Sequence, residues 1–341
     1  MVRGASLLVA GLVSALAVAQ VDMSSSIFGK GLRVQARDSS FYMQFRFRIQ
    51  PNYTGLYTEG QDGMDATYDQ RWTIRRSRLK LDGWALSPKL VYKFEYDLVG
   101  GYIRDAAIKW NFAGNFRLWF GQAKLPGNLQ RVVSSQSMQL VDRSLTNNQF
   151  NIDRDVGVQL HHSFDAGKTR FNWALCYSQG DGIIYQGPGN GGDVTARVEF
   201  LPLGVFTNKG DQYEADLARE KTLKLLLGVT YDKNESAFQD RGQWGRELTE
   251  ERDLESLFLD VLLKFRGASL LVEYAQKSAL DGPPGISDTT GTVTSSFITG
   301  NGYNVQAGYL LKSDWEISGR YSTYEPDSQS SLMPRTESTL G

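Results

Sequence analysis

Two stretches carry most of the chemistry that residue type and spacing can announce. Arg46 and Arg48 stand two apart in residues 41–50, and Arg76, Arg78 and Lys80 do the same in residues 72–82. A spacing of two puts side chains on one face of a strand. Guanidinium groups in such a row offer paired N–H donors to an oxyanion, so the chemistry they suit is anion binding. Lys93 and Lys109 follow on neighbouring strands, and Lys124, Arg131, Arg143 and Arg154 come later, in or beside a long irregular segment. Asp82, Glu95, Asp97 and Asp105 lie among the first group. A competing reading is therefore that acids and bases pair across the wall and only stabilise the strands.

Other combinations support less. His161 and His162 invite a metal or catalytic reading, but adjacent strand residues point to opposite faces, and no third histidine or nearby cysteine joins them. General acid–base work needs a positioned partner, so no catalytic residue is assigned. Residues 59–65 and 181–193 hold oxygen ligands and glycines that could take calcium, yet neither has the spacing of a helix–loop–helix calcium loop. They read as solvated loops, with no metal or cofactor expected. The 37 Lys plus Arg against 38 Asp plus Glu leave no basic excess to attract nucleic acid.

The elements that must position the arginines alternate strictly. Phe41, Met43, Phe45, Phe47 and Ile49 oppose Tyr42, Gln44, Arg46, Arg48 and Gln50. The same pattern predicts strands at about residues 72–82, 89–98, 103–112, 116–120, 155–161, 171–178, 194–201, 223–231, 254–265, 268–277, 302–311 and 315–323, thirteen in all. Residues 31–37 read as a short extended piece. Short turns fall mostly at one end and long loops at the other, as in transmembrane barrels, whose apolar face meets lipid and whose polar face lines water. Aromatics near strand ends, namely Phe41, Trp72, Trp84, Trp110, Phe112, Trp173, Tyr177, Tyr274 and Trp315, suit interfacial girdles. A soluble sandwich would need covering partners for every apolar face, and no segment supplies them.

Residues 1–19 read as a secretory signal peptide. Arg3, an apolar run over residues 5–16 and Ala17-Val18-Ala19 place the cut before Gln20. Cys176 is the only cysteine, so no internal disulfide forms. Residues 20–341 are then an outer-membrane barrel. Residues 124–153 break the period of two and are far too long for a hairpin turn, so an ordered, inward-folded loop is expected there. The link over residues 202–221 fits the alternation of short and long connections poorly and has no physical account from sequence. A further strand begins at Thr336, and the odd count of thirteen predicts C-terminal truncation, with roughly 40–50 residues missing from a sixteen-stranded whole.

Four segments together resemble one family, the phosphate-selective porins O and P. They are Arg75-Arg76-Ser77-Arg78-Leu79-Lys80-Leu81-Asp82-Gly83, Gly121-Gln122-Ala123-Lys124-Leu125-Pro126, Val141-Asp142-Arg143-Ser144-Leu145 and Arg154-Asp155-Val156-Gly157. The family often has Phe where Ala123 and Gly127 stand. The resemblance implies an all-β, sixteen-stranded, homotrimeric channel in outer-membrane lipid, narrowed by its third loop, with Lys124, Arg131, Arg143 and Arg154 as that loop's cations. It also implies a lysine cluster at the constriction, of which only Lys124 is present.

The expectation is a non-enzymatic porin for small anions, phosphate among them, with Arg46, Arg48, Arg76, Arg78, Lys80, Lys93 and Lys109 lining the pore. The alternatives are a weakly selective porin for another small solute, an outer-membrane enzyme such as a lipase, and an envelope-anchoring or adhesive barrel.

Overall fold

A computed structural model of the chain describes residues 21–24, 31–60, 65–185, 187 and 191–341. The signal-peptide reading of residues 1–19 lies outside these. The chain divides into two compact units, Met1–Asn111 and Phe112–Gly341.

The first unit is an antiparallel sheet of β1 (Val21–Ser24), β2 (Leu32–Ala36), β3 (Phe41–Thr58), β4 (Thr67–Ala85), β5 (Ser87–Asp97) and β6 (Tyr102–Asn111), each paired with the next in sequence. The second unit carries β7 (Arg117–Lys124), β8 (Arg154–Ala166), β9 (Thr169–Ser178), β10 (Asp193–Leu201), β11 (Lys224–Gln239), β12 (Glu247–Phe265), β13 (Ala268–Ala279), β16 (Gly300–Leu310), β17 (Glu316–Pro326) and β18 (Arg335–Leu340). A separate hairpin, β14 (Gly285–Ser287) and β15 (Val293–Ser296), sits in the loop after β13. Two short helices, α1 (Leu129–Val132) and α2 (Leu145–Gln149), lie between β7 and β8. The protein is all-β, and no helix among the described residues is long and apolar enough to cross a membrane.

All thirteen strands expected from alternation are present. The sequence count omitted β1, β2, β18 and the β14–β15 hairpin, β1 and the hairpin being too short to alternate, and β2 and β18 reading only as extended starts. β3 and β4 also extend past the strands expected at residues 41–50 and 72–82, β3 running on to Thr58 and β4 starting at Thr67. Their extension is held by aromatic contact between Tyr53 and Trp72 and by a hydroxyl bond of 2.9 Å between Tyr53 and Tyr68.

Burial is inverted relative to a water-soluble sheet. On β12, Ser256, Phe258, Asp260, Leu262 and Lys264 are buried, while the intervening Leu259 and the terminal Phe265 are exposed and Leu257, Val261 and Leu263 half-buried. On β16, Asn304 and Gln306 are buried and Tyr303, Val305 and Tyr309 face outward. Phe47, Ile49, Phe120, Leu175 and Ile317 are likewise exposed. Each such side chain left in water forfeits about 1.5–3 kcal/mol. A chain with this many exposed apolar residues on one sheet face is built for lipid. Trp84 departs from the aromatic-girdle expectation. It pairs in register with Tyr42 on the face of Arg46 and Lys80, stacks on that tyrosine, and donates its indole N–H to the Ser39 carbonyl. Its polar edge lets it sit on the wet side of the sheet.

Candidate functional site

In the first unit, register assembles the predicted cations into one patch. Arg46 lies opposite Lys80, Arg48 opposite Arg78 and Gln50 opposite Arg76. Lys80 then faces Glu95, Arg78 faces Asp97 and Asp82 faces Lys93. One strand further on, Glu95 faces Asp105 and Val91 faces Lys109, which puts Lys109 on the same face. Arg75, the bulge residue where the β3–β4 register slips, is exposed, and β6 has a matching slip at Arg104.

Salt bridges run through the patch. Arg46 pairs with Asp82, Arg78 Nη1 reaches Glu95 Oε1 at 3.0 Å, and Lys80 Nζ reaches Glu95 Oε2 at 3.3 Å. Lys93 Nζ lies 2.9 Å from Asp105, and Asp97 receives both Arg78 and Arg104 at 3.5 Å. Arg48 and Arg76 both donate to one amide oxygen, that of Gln50, at 2.5 and 3.0 Å. Over residues 42–50, 76–82, 91–97 and 104–109 of this face stand eight cations (Arg46, Arg48, Arg76, Arg78, Lys80, Lys93, Arg104 and Lys109) and four carboxylates (Asp82, Glu95, Asp97 and Asp105). Like charges in register repel. The surplus of four positive charges cannot be cancelled within the patch. Arg104 was not among the residues picked from sequence, because the bulge that turns it toward Asp97 breaks the alternation.

The second unit carries residues 125–153 against the polar face of its sheet. Here the cations are tied to backbone. Lys124 Nζ donates to the carbonyls of Arg131, Val132 and Val133 at 2.7, 2.9 and 3.1 Å, closing the C-terminal end of α1. Arg143 donates to the Gln130 and Val133 carbonyls at 3.0 and 3.1 Å. Arg131 pairs with Asp153, and Arg154, itself buried, reaches the same carboxylate at 3.1 Å. Ser144 caps α2 by accepting from the Asn147 N–H at 3.1 Å, which explains why the Asp-Arg-Ser-Leu run folds as a helix start. In the register of β7 on β8, Gly121 faces Gly157, where a Cβ on Gly157 would stand 2.3 Å from the Tyr177 carbonyl oxygen.

Buried acids on the sheet hold the segment in place. Asp260 and Glu273 lie directly opposite one another on β12 and β13. Asp260 accepts from the Leu129 N–H at 3.1 Å, and Glu273 accepts from the Gln130 N–H at 2.8 Å and the Asn128 amide at 3.3 Å. Arg197 on β10 donates to Asp260, to Thr230 Oγ1 at 2.8 Å, to the Gly127 carbonyl at 2.9 Å and to Glu199 at 2.9 Å. Arg197, Asp260 and Glu273 escaped the sequence reading because alternation gives only the face of a buried charge, not its partner. Gly308 is a further such position, since a Cβ there would stand 1.9 Å from the Gln139 amide nitrogen. His161 stacks near Trp119 and meets Gln159 at 3.0 Å, whereas His162 stacks on Phe116. Among the described residues no cluster of potential metal ligands forms.

The resemblance read from the four motifs holds in comparison with known families: the model of phosphate-selective porin O and P matches residues 43–205. No curated protein matches the chain. Among solved structures, outer-membrane expressed OmpT of Vibrio cholerae is similar at a TM-score of 0.50 and 10% identity, covering 94% of this chain and 82% of that one. An anion-selective porin from Comamonas acidovorans gives a TM-score of 0.49 at 14% identity, with 87% and 83% covered. The outer-membrane channel DcaP of Acinetobacter baumannii gives 0.39 at 12%, with 87% and 94% covered.

Proposed function

We propose that this chain, whose residues 43–205 carry the phosphate-selective porin O and P pattern, is a passive outer-membrane porin whose water-filled lumen favours small anions, oxyanions such as phosphate among them. The single observation behind the anion preference is the surplus of cations on the polar face of the first unit, eight against four carboxylates. In a narrow, low-dielectric tube such a surplus focuses a positive field and raises the local concentration of anions. Arg48, Arg76 and Arg78, brought side by side around Gln50, repel one another, and an entering anion relieves that repulsion. Arg46, Lys80, Lys93 and Lys109 continue the row, so a solute passes between several weak sites, as flux requires.

In this reading residues 125–153 form the constriction. Lys124, Arg131, Arg143 and Arg154 serve it by fixing the loop, since their donors engage carbonyls and Asp153. Assembly as a homotrimer in outer-membrane lipid is part of the reading, and the activity is that of a channel rather than an enzyme.

The test uses the whole protein in a planar bilayer, with the reversal potential read across a potassium chloride gradient and phosphate then added. An anion-selective potential with block by phosphate is expected. Replacing Arg48→Gln and Arg76→Gln removes two of the four surplus charges and is expected to lower the selective part of the potential by about half. An unselective or cation-leaning potential without block overturns the proposal.

A further inference from the structure

The link between β10 and β11, residues 202–223, is far longer than a turn needs to be, and part of it is buried against the second unit while residues such as Leu203, Val205 and Leu217 stay exposed. Phe206, Ala215, Glu214, Asp216 and Glu220 are each less than 6% exposed. Lys264 belongs to the same face of β12 as Asp260, the residue that holds α1. Its ammonium donates to three carbonyls of the link, those of Gly210, Tyr213 and Ala215, at 2.7, 2.8 and 2.7 Å.

The link also reaches across three separate turns. Thr169, beside the β8–β9 turn, donates to the Pro202 carbonyl at 3.4 Å, and Asp216 accepts from the Gly267 N–H of the β12–β13 turn at 2.7 Å. Arg266 N–H donates to the Glu220 carbonyl at 2.9 Å, and Arg219 reaches Asp314 of the β16–β17 turn at 2.8 Å. A segment anchored on all three lies across the short-turn end of this sheet. Three of its non-glycine residues, Asn208, Lys209 and Arg219, take positive φ, which is the local cost of its folding back.

It also touches the segment over residues 125–153. Glu214 N–H donates to the Ser137 carbonyl at 3.0 Å, and Glu214 Oε2 accepts from the Gln139 N–H at 2.8 Å and the Gln306 amide at 2.9 Å. Phe206 packs in one cluster with Leu129 and Val133 of that segment and with Leu226, Leu262 and Leu271 of the wall.

We propose that residues 202–221 are a second restriction of the pore, a strap over the short-turn end that limits solute size and clamps the constriction loop through Glu214. This rests on the porin reading, because only a pore gives the polar face a solute to exclude. Glu214 acts as a positioning residue, touching loop backbone rather than solute.

The whole protein is tested in two variants. In one, residues 203–221 are replaced by Asn-Gly, joining β10 to β11 by a tight turn; in the other, Glu214→Ala removes the clamp and keeps the strap. Uptake of neutral sugars of graded size into vesicles is compared with the reversal potential in potassium chloride. The strap replacement is expected to raise uptake of the largest admitted sugars about threefold or more relative to the smallest. Glu214→Ala is expected to increase brief closures of single channels while leaving the potential unchanged. An unchanged size profile in a strap variant that still inserts and conducts overturns the restriction. If that variant fails to fold, Glu214→Ala decides alone, and gating noise equal to the parent's overturns the clamp. Loss of anion preference in the parent protein bears on the charge proposal only, because neutral sugars report the strap independently.

Discussion

Arg197 offers the sharpest test of how the second unit holds its inner segment. The residue is 4% exposed, and its guanidinium bonds two carboxylates, Asp260 and Glu199, a hydroxyl and the Gly127 carbonyl. Arg197→Met keeps a flexible stem of similar length but leaves Asp260 opposite Glu273 with no neutralising cation from β10. Removing one member of a buried ion pair costs about 3–5 kcal/mol. That is roughly two to three and a half powers of ten in the folding equilibrium, at about 1.4 kcal/mol per tenfold. If the cost arises from the abandoned carboxylate, then Asp260→Asn added to Arg197→Met should restore about 1–2 kcal/mol, giving a clearly non-additive cycle. The assay is urea unfolding of the refolded protein in detergent, followed by tryptophan fluorescence, with midpoints compared at equal slope. A single-variant loss below about 1 kcal/mol, or a double variant weaker than the single one, refutes the assignment of Arg197 as the anchor's counter-charge.

Three further outcomes follow from the same geometry. Lys124→Met strips a charged donor from three carbonyls at the end of α1 and is expected to cost about 2–4 kcal/mol in the urea assay, with noisier single-channel currents. Cys176 is buried on β9, in register with Gln159 and Thr195, so a maleimide should leave the folded protein unlabelled and modify it fully after unfolding. Labelling of the folded protein at the unfolded rate would place that face differently. In the β14–β15 turn, the Thr290 hydroxyl, with the N–H groups of Thr290 and Thr292, holds Asp288 below the usual carboxylate range. A lowered pKa means the charged form is favoured in the folded turn. Its contribution is therefore complete at neutral pH and lost as pH falls through that depressed value. Amide exchange at Thr292 should speed up over that interval in the parent and be pH-independent there, apart from intrinsic exchange, in Asp288→Asn.

The strands were legible because alternation survives wherever one face meets an apolar medium, which is why β3 to β13 and β16 to β17 could be placed from residues such as Phe45, Phe47 and Ile49 alone. Where a strand extends past that region its outward positions turn polar and the signal fades. The first seven residues of β12, Glu247 to Asp253, show this, lying ahead of the strand expected over residues 254–265. The cation row was legible for the same reason, since the spacing of Arg46, Arg48, Arg76 and Arg78 fixes their face and hairpin pairing brings them together. Partners were not. Arg104 reaches Asp97 only through a bulge, and Glu214 meets Gln139 from 75 residues away in a link with no periodicity at all.

One of these contacts could have been anticipated. The Arg266-Gly267 turn fixes the β12–β13 register, so Asp260 must stand opposite Glu273 on a buried face. Two carboxylates so placed are tolerable only if donors converge on them. The sheet itself supplies Arg197, and the remaining donors must come from a segment that folds back onto it. Residues 128–130 provide these donors through two backbone N–H groups and one amide. The position of the inner segment is thus set by acids on the wall, whereas the cations of the first unit's patch, Arg46 to Lys109, outnumber the four acids among them two to one. It follows that neutralising Asp260 or Glu273 should loosen the segment without inverting ion preference. Neutralising Arg48 or Arg76 should shift preference and leave the segment in place. Reversal potentials and single-channel noise measured on both sets of variants separate these two effects, and a variant from either set that moved both readouts equally would break the division.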